Sequence, residues 1–240
     1  MPTTKDVDEH PIIFNSWSIN HILAGKKTQT RRVVEPQPPH EFVHALDLPP
    51  RYCDENTTGY LKNGPGWYWR AQTAVDEAKW RPLGSSRGCP YGKPGARLWV
   101  REAFRLPSGV HSTPKEYVEH CGDRTPVVKY EADESTNADC SVGLREWNGT
   151  LKPSIHMPRE LCRIRLRVKD VRVEQVQEVS HKDAKAEGVD PKNALAPCGV
   201  MEMEDSYRAR FAQVWNDIHG DGAWERNDWV WVIEFSRLEP

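Results

Sequence analysis

The strongest constraint on the fold is a strict alternation of apolar and polar residues in CRIRLRVKDVRVEQV at 162–176. Successive side chains of a β-strand point to opposite faces, so a period of two marks a strand with one covered face. The segment predicts a long, half-exposed strand or a bent pair of strands. ARLWVREAF at 96–104 and WVWVIEF at 229–235 predict two further strands.

Helical signals flank these strands. SHKDAKAEGV at 180–189 opens on a capping serine and stops at a glycine, and SYRARFAQVWNDIHG at 206–220 has apolar residues at helical spacing. Near the N-terminus, PIIFN at 11–15 predicts a short strand. A short helix capped by Ser16 or Ser18 follows it, and KTQTRRVV at 27–34 predicts a second strand.

The order of these elements predicts an α+β fold, because it lacks the regular alternation of a doubly wound sheet. We expect one domain over 1–240, built as a mixed β-barrel closed by its terminal strand, with helices at its ends. Its predicted core segments are about 11–35, 94–106 and 153–237, and two long insertions lie at about 36–93 and 107–152. WYWRAQ at 67–72 and VVKYEA at 127–132 are the strand candidates within the insertions.

Charge limits the kinds of partner. The chain has 33 basic and 35 acidic residues, for a net charge of -2. Proteins that coat nucleic acid non-specifically are usually strongly basic, because their affinity comes from neutralising phosphates. Any nucleic-acid contact is therefore expected to be local, through a few arginines. The ten tryptophans need either a core or a stacking surface to occupy.

The six cysteines are irregularly spaced and form no CxxC pair, and no histidine pair lies at ligand spacing beside one. We therefore predict no metal site and no cofactor. The N-terminus is polar, and no apolar run approaches membrane length. We expect no signal peptide, no membrane contact and a cytoplasmic location with reduced thiols.

Four segments carry a resemblance to a known family. ILAGKKTQTRR at 22–32 resembles the signature of the ASCH family, in which a glycine, a lysine, a threonine and an arginine run from a helix end into a strand. PGARLWVRE at 94–102 is similar to the family's central strand, VSHKDAKAEGV at 179–189 to its late helix, and WVWVIEF to its closing strand. CPYG at 89–92 and SIHMPR at 154–159 resemble elements of the larger ASCH proteins of tailed phages and prophages. One departure is Ala96, where the family often has aspartate.

The resemblance implies a PUA-like β-barrel with a pocket between the barrel and the first helix. Relatives are regarded as modules that bind RNA or modified nucleotides, and a phage-encoded member would act in the host cytoplasm. A compact bacterial branch hydrolyses the acyl amide of N4-acetylcytidine with a lysine, a threonine and a glutamate. Matched motif by motif, these residues are Lys27, Thr30 and Glu187.

The chemistry of these three candidate catalytic residues can be stated independently. The Thr30 hydroxyl becomes a nucleophile only when a base removes its proton, and Lys27 becomes that base only if burial or neighbouring arginines lower its pKa. Glu187 could orient the amine or pass a proton to the leaving group. Lys27 and Thr30 can meet only if Lys27 belongs to the turn at Gly25. Alternatively, Lys27 is a solvated turn residue, Thr30 an ordinary strand residue and Glu187 a surface residue.

Two further candidates lie near the N-terminus. Trp17 could stack on a base, and Arg32 shares a strand face with Thr30 and could hold a phosphate or carboxylate. Of the adjacent pair Arg31 and Arg32, at most one faces the pocket, and the other is expected to meet solvent or an acid.

The remaining candidates lie in the middle of the chain. Glu102 could accept a hydrogen bond from a base edge or form a structural ion pair. If SIHMPR is extended, Ser154 and His156 share a face, and His156 and Arg159 are candidates for a pocket wall. Trp99 is expected to pack in the core.

Three functions remain open. The first is binding of a nucleotide, a modified base or a nucleic acid, with RNA favoured. The second is an amidohydrolase that removes an acyl group from an N4-acylated cytosine or cytidine. The third is a phage scaffold that binds a host protein through the insertions. We rank binding first, because the insertions enlarge the chain well beyond the compact hydrolases and could cover or extend a pocket.

Overall fold

The structure is a computed structural model. It describes residues 8–37, 51–53, 66–72, 78–82, 89–106, 113–123, 126, 128–134, 150–190 and 203–239.

The described residues form strands and helices in the mixed order that the sequence predicts. The strands are β1 (Glu9–Ile13), β2 (Gln29–Val33), β3 (Arg51–Cys53), β4 (Gly66–Gln72), β5 (Ala78–Pro82), β6 (Arg97–Arg101), β7 (Phe104–Arg105), β8 (Lys129–Tyr130), β9 (Leu151–Lys152), β10 (Arg165–Gln175) and β11 (Trp229–Arg237). The α-helices are α1 (Ser16–Leu23), α2 (Pro114–Cys121), α3 (Glu131–Glu134), α4 (His181–Ala186) and α5 (Met203–His219). Short 3₁₀ turns lie at Ser154–His156, Arg159–Leu161 and Val176–Glu178. The α+β class is confirmed.

The chain divides into two compact units. The first unit contains Met1–Lys26, Ala96–Arg167 and Ser236–Pro240, and the second contains Lys27–Gly95 and Val168–Phe235. The single domain over 1–240 stays a prediction.

In the first unit, β1 pairs in parallel with β6, and β6 pairs antiparallel with the first residues of β10. A second small sheet has the order β8-β7-β9. Its apolar cluster consists of Phe104, Leu106, Tyr117, Met157 and Leu161. Helix α1 is capped by neither of the expected serines, because the Asn15 side chain accepts the Ser18 N–H at 2.9 Å.

In the second unit, β10 lies beside β11, and β11 pairs antiparallel with β2. A separate sheet has the order β3-β4-β5, which confirms the strand predicted at 67–72. Helices α4 and α5 close the core, and the Ser180 side chain caps α4 as predicted. The core residues are Val176, Val179, Ala184, Val189, Phe211, Trp215, Ala223, Val230 and Val232.

Two further sequence expectations about the fold are wrong, and the condition that SIHMPR is extended is not met. The described strands form open sheets, with β1 at an edge in the first unit and β2 at an edge in the second, so the predicted barrel is not closed. Alternation reports one covered face, and an open sheet with one covered face gives the same pattern as a barrel. Trp99 is partly exposed, because the buried side of β6 belongs to its neighbours. SIHMPR is not extended, because His156 N–H and Met157 N–H donate back to Pro153 and Ser154 at 3.0 Å.

Among the described residues, no helix combines the length and the apolar character that crossing a membrane requires.

Candidate functional site

Lys27 lies between helix α1 and strand β2, outside both. Gly25 takes a positive φ of 69° that ends the helix, and β2 begins only at Gln29. In the second unit, Thr28 N–H donates to the Ala186 carbonyl at 2.8 Å and Thr28 O accepts from Phe235 N–H at 2.9 Å. These bonds fix the segment against the end of α4. The condition that Lys27 precedes the strand is therefore met.

Lys27 and Glu187 form a buried ion pair. The Lys27 ammonium donates to the Glu187 carboxylate at 2.7 Å and to the Glu187 main-chain carbonyl at 2.9 Å. Each residue is 5% exposed, which excludes the surface alternatives for both. Burial lowers the pKa of Lys27, Glu187 opposes that shift, and Arg32 and Arg31 add to it. A lysine with a lowered pKa can exchange its proton more readily than a surface lysine.

Arg31 belongs to the same ion-pair system. Its fully buried guanidinium lies 3.3 Å from a Glu187 oxygen, 3.0 Å from Glu174 and 3.5 Å from Asp183. The expectation that one of the two adjacent arginines meets an acid is confirmed for Arg31. The neighbouring Gln29 side-chain amide hydrogen-bonds to both charges: its oxygen accepts from Arg31 at 2.7 Å and its nitrogen donates to Asp183 at 3.0 Å.

Arg172 joins three elements of the second unit. Its guanidinium donates to Glu174 on β10 at 2.5 Å, to Glu234 on β11 at 2.6 Å and to Asp183 on α4 at 2.8 Å. Burial opposes ionisation of Asp183, but the Ser180 hydroxyl, Arg31 and Arg172 together lower the pKa of its carboxyl.

We call these residues the charge cluster: Lys27, Arg31, Arg172, Glu174, Asp183 and Glu187. The sequence-based predictions include Lys27 and Glu187, with solvent or an acid as the partner of Arg31, but they miss Arg172, Glu174 and Asp183. Two spacings in the sequence could have indicated the missing members. Arg172 and Glu174 are two apart, which places them on one strand face. Asp183 and Glu187 are four apart, which places them on one helix face.

Thr30 is buried on β2, 3% exposed and opposite Ile233 of β11. Because side chains alternate along a strand, it points to the face opposite Arg31 and shares a face with Arg32. All three predicted catalytic residues are therefore buried. Lys27 and Glu187 contact each other directly, whereas the Thr30 side chain lies on the face of β2 opposite to Arg31.

A cavity of about 540 Å³ lies in the second unit, on residues of β2, β11, the end of α5 and the turn at 89–91. Arg32 and Trp231 are direct partners in the β2–β11 ladder, so they present side chains on the same face. The lining residues are Arg32, Val33, Glu35, Pro90, Tyr91, His219, Arg226, Asp228 and Trp231. Of the predicted site residues, Arg32 alone is among them.

The cavity combines donors, acceptors and aromatic rings. Burial lowers the pKa of Arg32 and raises that of Tyr91, although the two groups partly offset each other's shift. Arg226 donates to one Asp228 oxygen at 3.2 and 3.1 Å. Burial, followed by Arg32 and Arg226, lowers the pKa of His219, and Asp228 opposes them. The imidazole is therefore predominantly neutral at neutral pH.

The other predicted ligand residues belong to the first unit. Trp17 is 38% exposed, and its ring centroid lies 4.2 Å from that of His21. Glu102 is 2% exposed and accepts from Arg163 at 2.9 and 2.8 Å, which is the ion-pair alternative. His156 is exposed in its 3₁₀ turn, and Arg159 pairs with Glu9. The lining of the 540 Å³ cavity includes none of these residues.

In the part of the chain that the structure describes, no three or more His, Cys, Asp or Glu side chains group as a metal ion would require. Comparisons with protein-family models, with curated proteins and with solved structures find no match.

Proposed function

We propose that the chain binds a nucleotide or a modified nucleobase, free or within nucleic acid, in the cavity of the second unit. The observation that carries this proposal is the position of Arg32 at a cavity that the rings of Tyr91 and His219 also line. Trp231, the direct partner of Arg32, is 1% exposed and forms a packed part of the same lining. A guanidinium suits phosphate, and aromatic side chains suit the face of a base. RNA is the favoured polymer, and we propose that the fold is of the PUA-like ASCH type, on the motif resemblance alone.

Size and polarity support a ligand of this class. Small-molecule sites usually enclose roughly 300–1,000 Å³, and this cavity has about 540 Å³. The carboxylates of Glu35 and Asp228 can accept hydrogen bonds from an exocyclic amino group, while Arg32 and Arg226 can donate to carbonyl or phosphate oxygens. A cytosine derivative offers both kinds of edge.

The second candidate is the amidohydrolase, and the buried Lys27–Glu187 pair favours it. In this mechanism the Lys27 ammonium would first pass a proton to the Glu187 carboxylate, and the lowered pKa of Lys27 favours that transfer. The neutral amine would then take the Thr30 hydroxyl proton as that oxygen adds to the acyl carbon, and protonated Glu187 would give its proton to the leaving amino group. Water would hydrolyse the resulting acyl ester and restore the Thr30 hydroxyl.

Binding ranks first for two reasons. None of the three predicted catalytic residues lines the cavity. In addition, Thr30 lies on the face of β2 opposite to Arg31, which contacts Glu187.

The scaffold hypothesis stays a prediction. Its expected contact surface is the pair of insertions at about 36–93 and 107–152, and much of both lies outside the described residues.

Arg32→Gln is expected to weaken nucleotide binding at least about tenfold, because a charge-assisted hydrogen bond contributes roughly 1.5–3 kcal/mol. Titration calorimetry would compare cytidine monophosphate, its N4-acetyl derivative and the other common nucleotides. Arg237→Gln, an exposed arginine in the first unit, is the matched control and should bind like the unmodified chain. Equal affinities for Arg32→Gln and the unmodified chain would refute the assignment of the cavity.

The same panel tests hydrolysis when the products are read by mass spectrometry. Release of acyl groups by the unmodified chain, abolished in Thr30→Val and Lys27→Met proteins that still melt cooperatively, would replace binding by catalysis. Binding without turnover would support the proposal.

Binding of a singly charged nucleotide is expected to tighten as the pH falls. The His219 imidazole has a pKa below its usual 6.5, and a bound anion would raise that pKa, so the complex takes up a proton. Cytidine 2′,3′-cyclic phosphate keeps one charge across this range, and its Kd would be measured from about pH 8 to about pH 5.5. His219→Gln should flatten the dependence, and an unchanged slope would contradict the role of His219.

A further inference from the structure

One face of the sheet in the first unit carries a row of arginines. On β6, Arg97, Trp99 and Arg101 are partly exposed and alternate with buried residues. On β10, Arg165 and Arg167 are exposed and also alternate with buried residues. The two strands therefore bury one side and present guanidinium groups on the other.

The ladder register places these cations directly beside one another. Arg167 is the direct partner of Arg97, and Arg165 is the direct partner of Trp99. Direct partners in an antiparallel pair present side chains on the same face, roughly 5 Å apart at Cβ, and like charges in this position are destabilising. The Arg101 guanidinium carbon lies 5.4 Å from the centroid of the Trp99 ring, within cation–π range.

Glu9 and Glu160 offset part of this charge. Glu9 on β1 is the direct partner of Arg97 and also pairs with Arg159. Arg159 lowers the pKa of Glu9 most, burial opposes it, and Arg165 and Arg97 contribute further lowering. One carboxylate thus serves three arginines, and Glu160 lies near Arg159 as a second acid. In a chain with a net charge of -2, this is a local concentration of positive charge.

We propose that this arginine face, made of Arg97, Arg101, Arg165, Arg167 and Trp99, binds single-stranded nucleic acid. The guanidinium groups of Arg97, Arg165 and Arg167 would hold phosphates, and the Trp99 ring would take a base. Arg101 donates to the Ile155 carbonyl and lies beside that ring. Guanidinium planes and aromatic rings both stack on bases, and this stacking needs bases that are not paired. The binding surface goes beyond the proposed cavity, because its residues belong to the other unit.

The composition of the face suits one strand better than a duplex. Its arginines and Trp99 lie on the neighbouring strands β6 and β10, and β1 extends the surface on the other side of β6. Ile13 on β1 is 41% exposed, is the direct partner of Arg101 and extends the apolar part of the surface. An apolar strip of Trp99, Pro11 and Ile13 beside the arginines is the arrangement expected of a stacking platform rather than of phosphate neutralisation alone.

Fluorescence anisotropy of the full chain with labelled oligouridylate and oligothymidylate of about 12 nucleotides tests the proposal. The combined Arg165→Gln and Arg167→Gln variant should bind at least about tenfold more weakly at low salt. Its log–log salt slope should be smaller by about 1.4, because each phosphate that an arginine no longer neutralises lowers the slope by about 0.7. Both arginines are exposed and Arg167 lies beside the like charge of Arg97, so the melting temperature should not fall.

A matched control removes two exposed lysines elsewhere, Lys115→Gln with Lys182→Gln, and should leave affinity and slope unchanged. Equal losses of affinity in this control, or no oligonucleotide binding, would overturn the proposal. So would capture by anionic phospholipid vesicles without oligonucleotide binding. The Arg165→Gln/Arg167→Gln variant should bind mononucleotide with the same affinity as the unmodified chain. The mononucleotide titration therefore tests the cavity, and the oligonucleotide titration tests the arginine face separately.

Discussion

Glu187→Gln is expected to lower the free energy of unfolding by about 3–5 kcal/mol, the range for breaking a buried ion pair from one side. The amide keeps the size of the side chain but removes the charge that Lys27 and Arg31 share. Both cations are buried, so water cannot replace the missing carboxylate. Urea unfolding would show a lower midpoint with an unchanged dependence on denaturant.

Two further variants sharpen this test. Glu225→Gln changes an exposed glutamate and should stay within about 0.5 kcal/mol of the unmodified chain. The double variant Lys27→Met with Glu187→Met removes both charges of the pair and should recover part of the stability, because apolar replacement of a buried pair is often nearly neutral. The recovery should be incomplete, because Arg31 loses Glu187 and keeps only Glu174 and Asp183 as acid partners among the described residues. A decrease below about 1 kcal/mol in the single variant would mean that Lys27 is not a buried cation dependent on Glu187.

Glu102→Gln should cost about 2–3 kcal/mol in the first unit. The carboxylate accepts two hydrogen bonds from Arg163, whose guanidinium carbon lies 3.9 Å from the centre of the Tyr130 ring. The Arg163 side chain is 25% exposed, so solvent reduces the penalty below that at Glu187. Thermal unfolding monitored by circular dichroism measures the effect.

Glu160→Gln, an exposed change in the same unit, is the control for Glu102→Gln. A Glu102→Gln protein with unchanged stability but weakened nucleotide binding would contradict the ion-pair role. It would restore Glu102 as a ligand residue.

Local patterns in the sequence were sufficient for most elements. Alternation located β10, a run of aromatic and β-branched residues located β11, and a capping residue located α4, because these signals depend on neighbours within a few positions. The strand predicted at 27–34 began too early, because β2 starts at Gln29 and Lys27 belongs to the turn that follows Gly25. Barrel closure could not be derived, since it depends on which strand edges meet and not on the pattern within any strand.

The charge cluster shows the same limit for the site. Nothing in the sequence distinguishes Arg172, Glu174 and Asp183 from other charged residues. They reach Arg31 because side chains of β10 contact the start of α4 in the fold. The cavity depends on a longer-range arrangement still. Arg32 could be predicted as a site residue from the strand face that it shares with Thr30. The other lining residues Tyr91, His219 and Trp231 could not, because they come from three separate segments.

The two hydrogen bonds from Lys27 to Glu187 have a consequence for local motion. The ammonium holds a main-chain carbonyl just beyond the last residue of α4, where a helix leaves its carbonyls without intrahelical partners. The bond from Thr28 N–H to the Ala186 carbonyl acts at the same end. Fraying of the last turn of α4 and release of residues 26–28 are therefore one opening event, and whatever displaces the ammonium also unwinds the helix end.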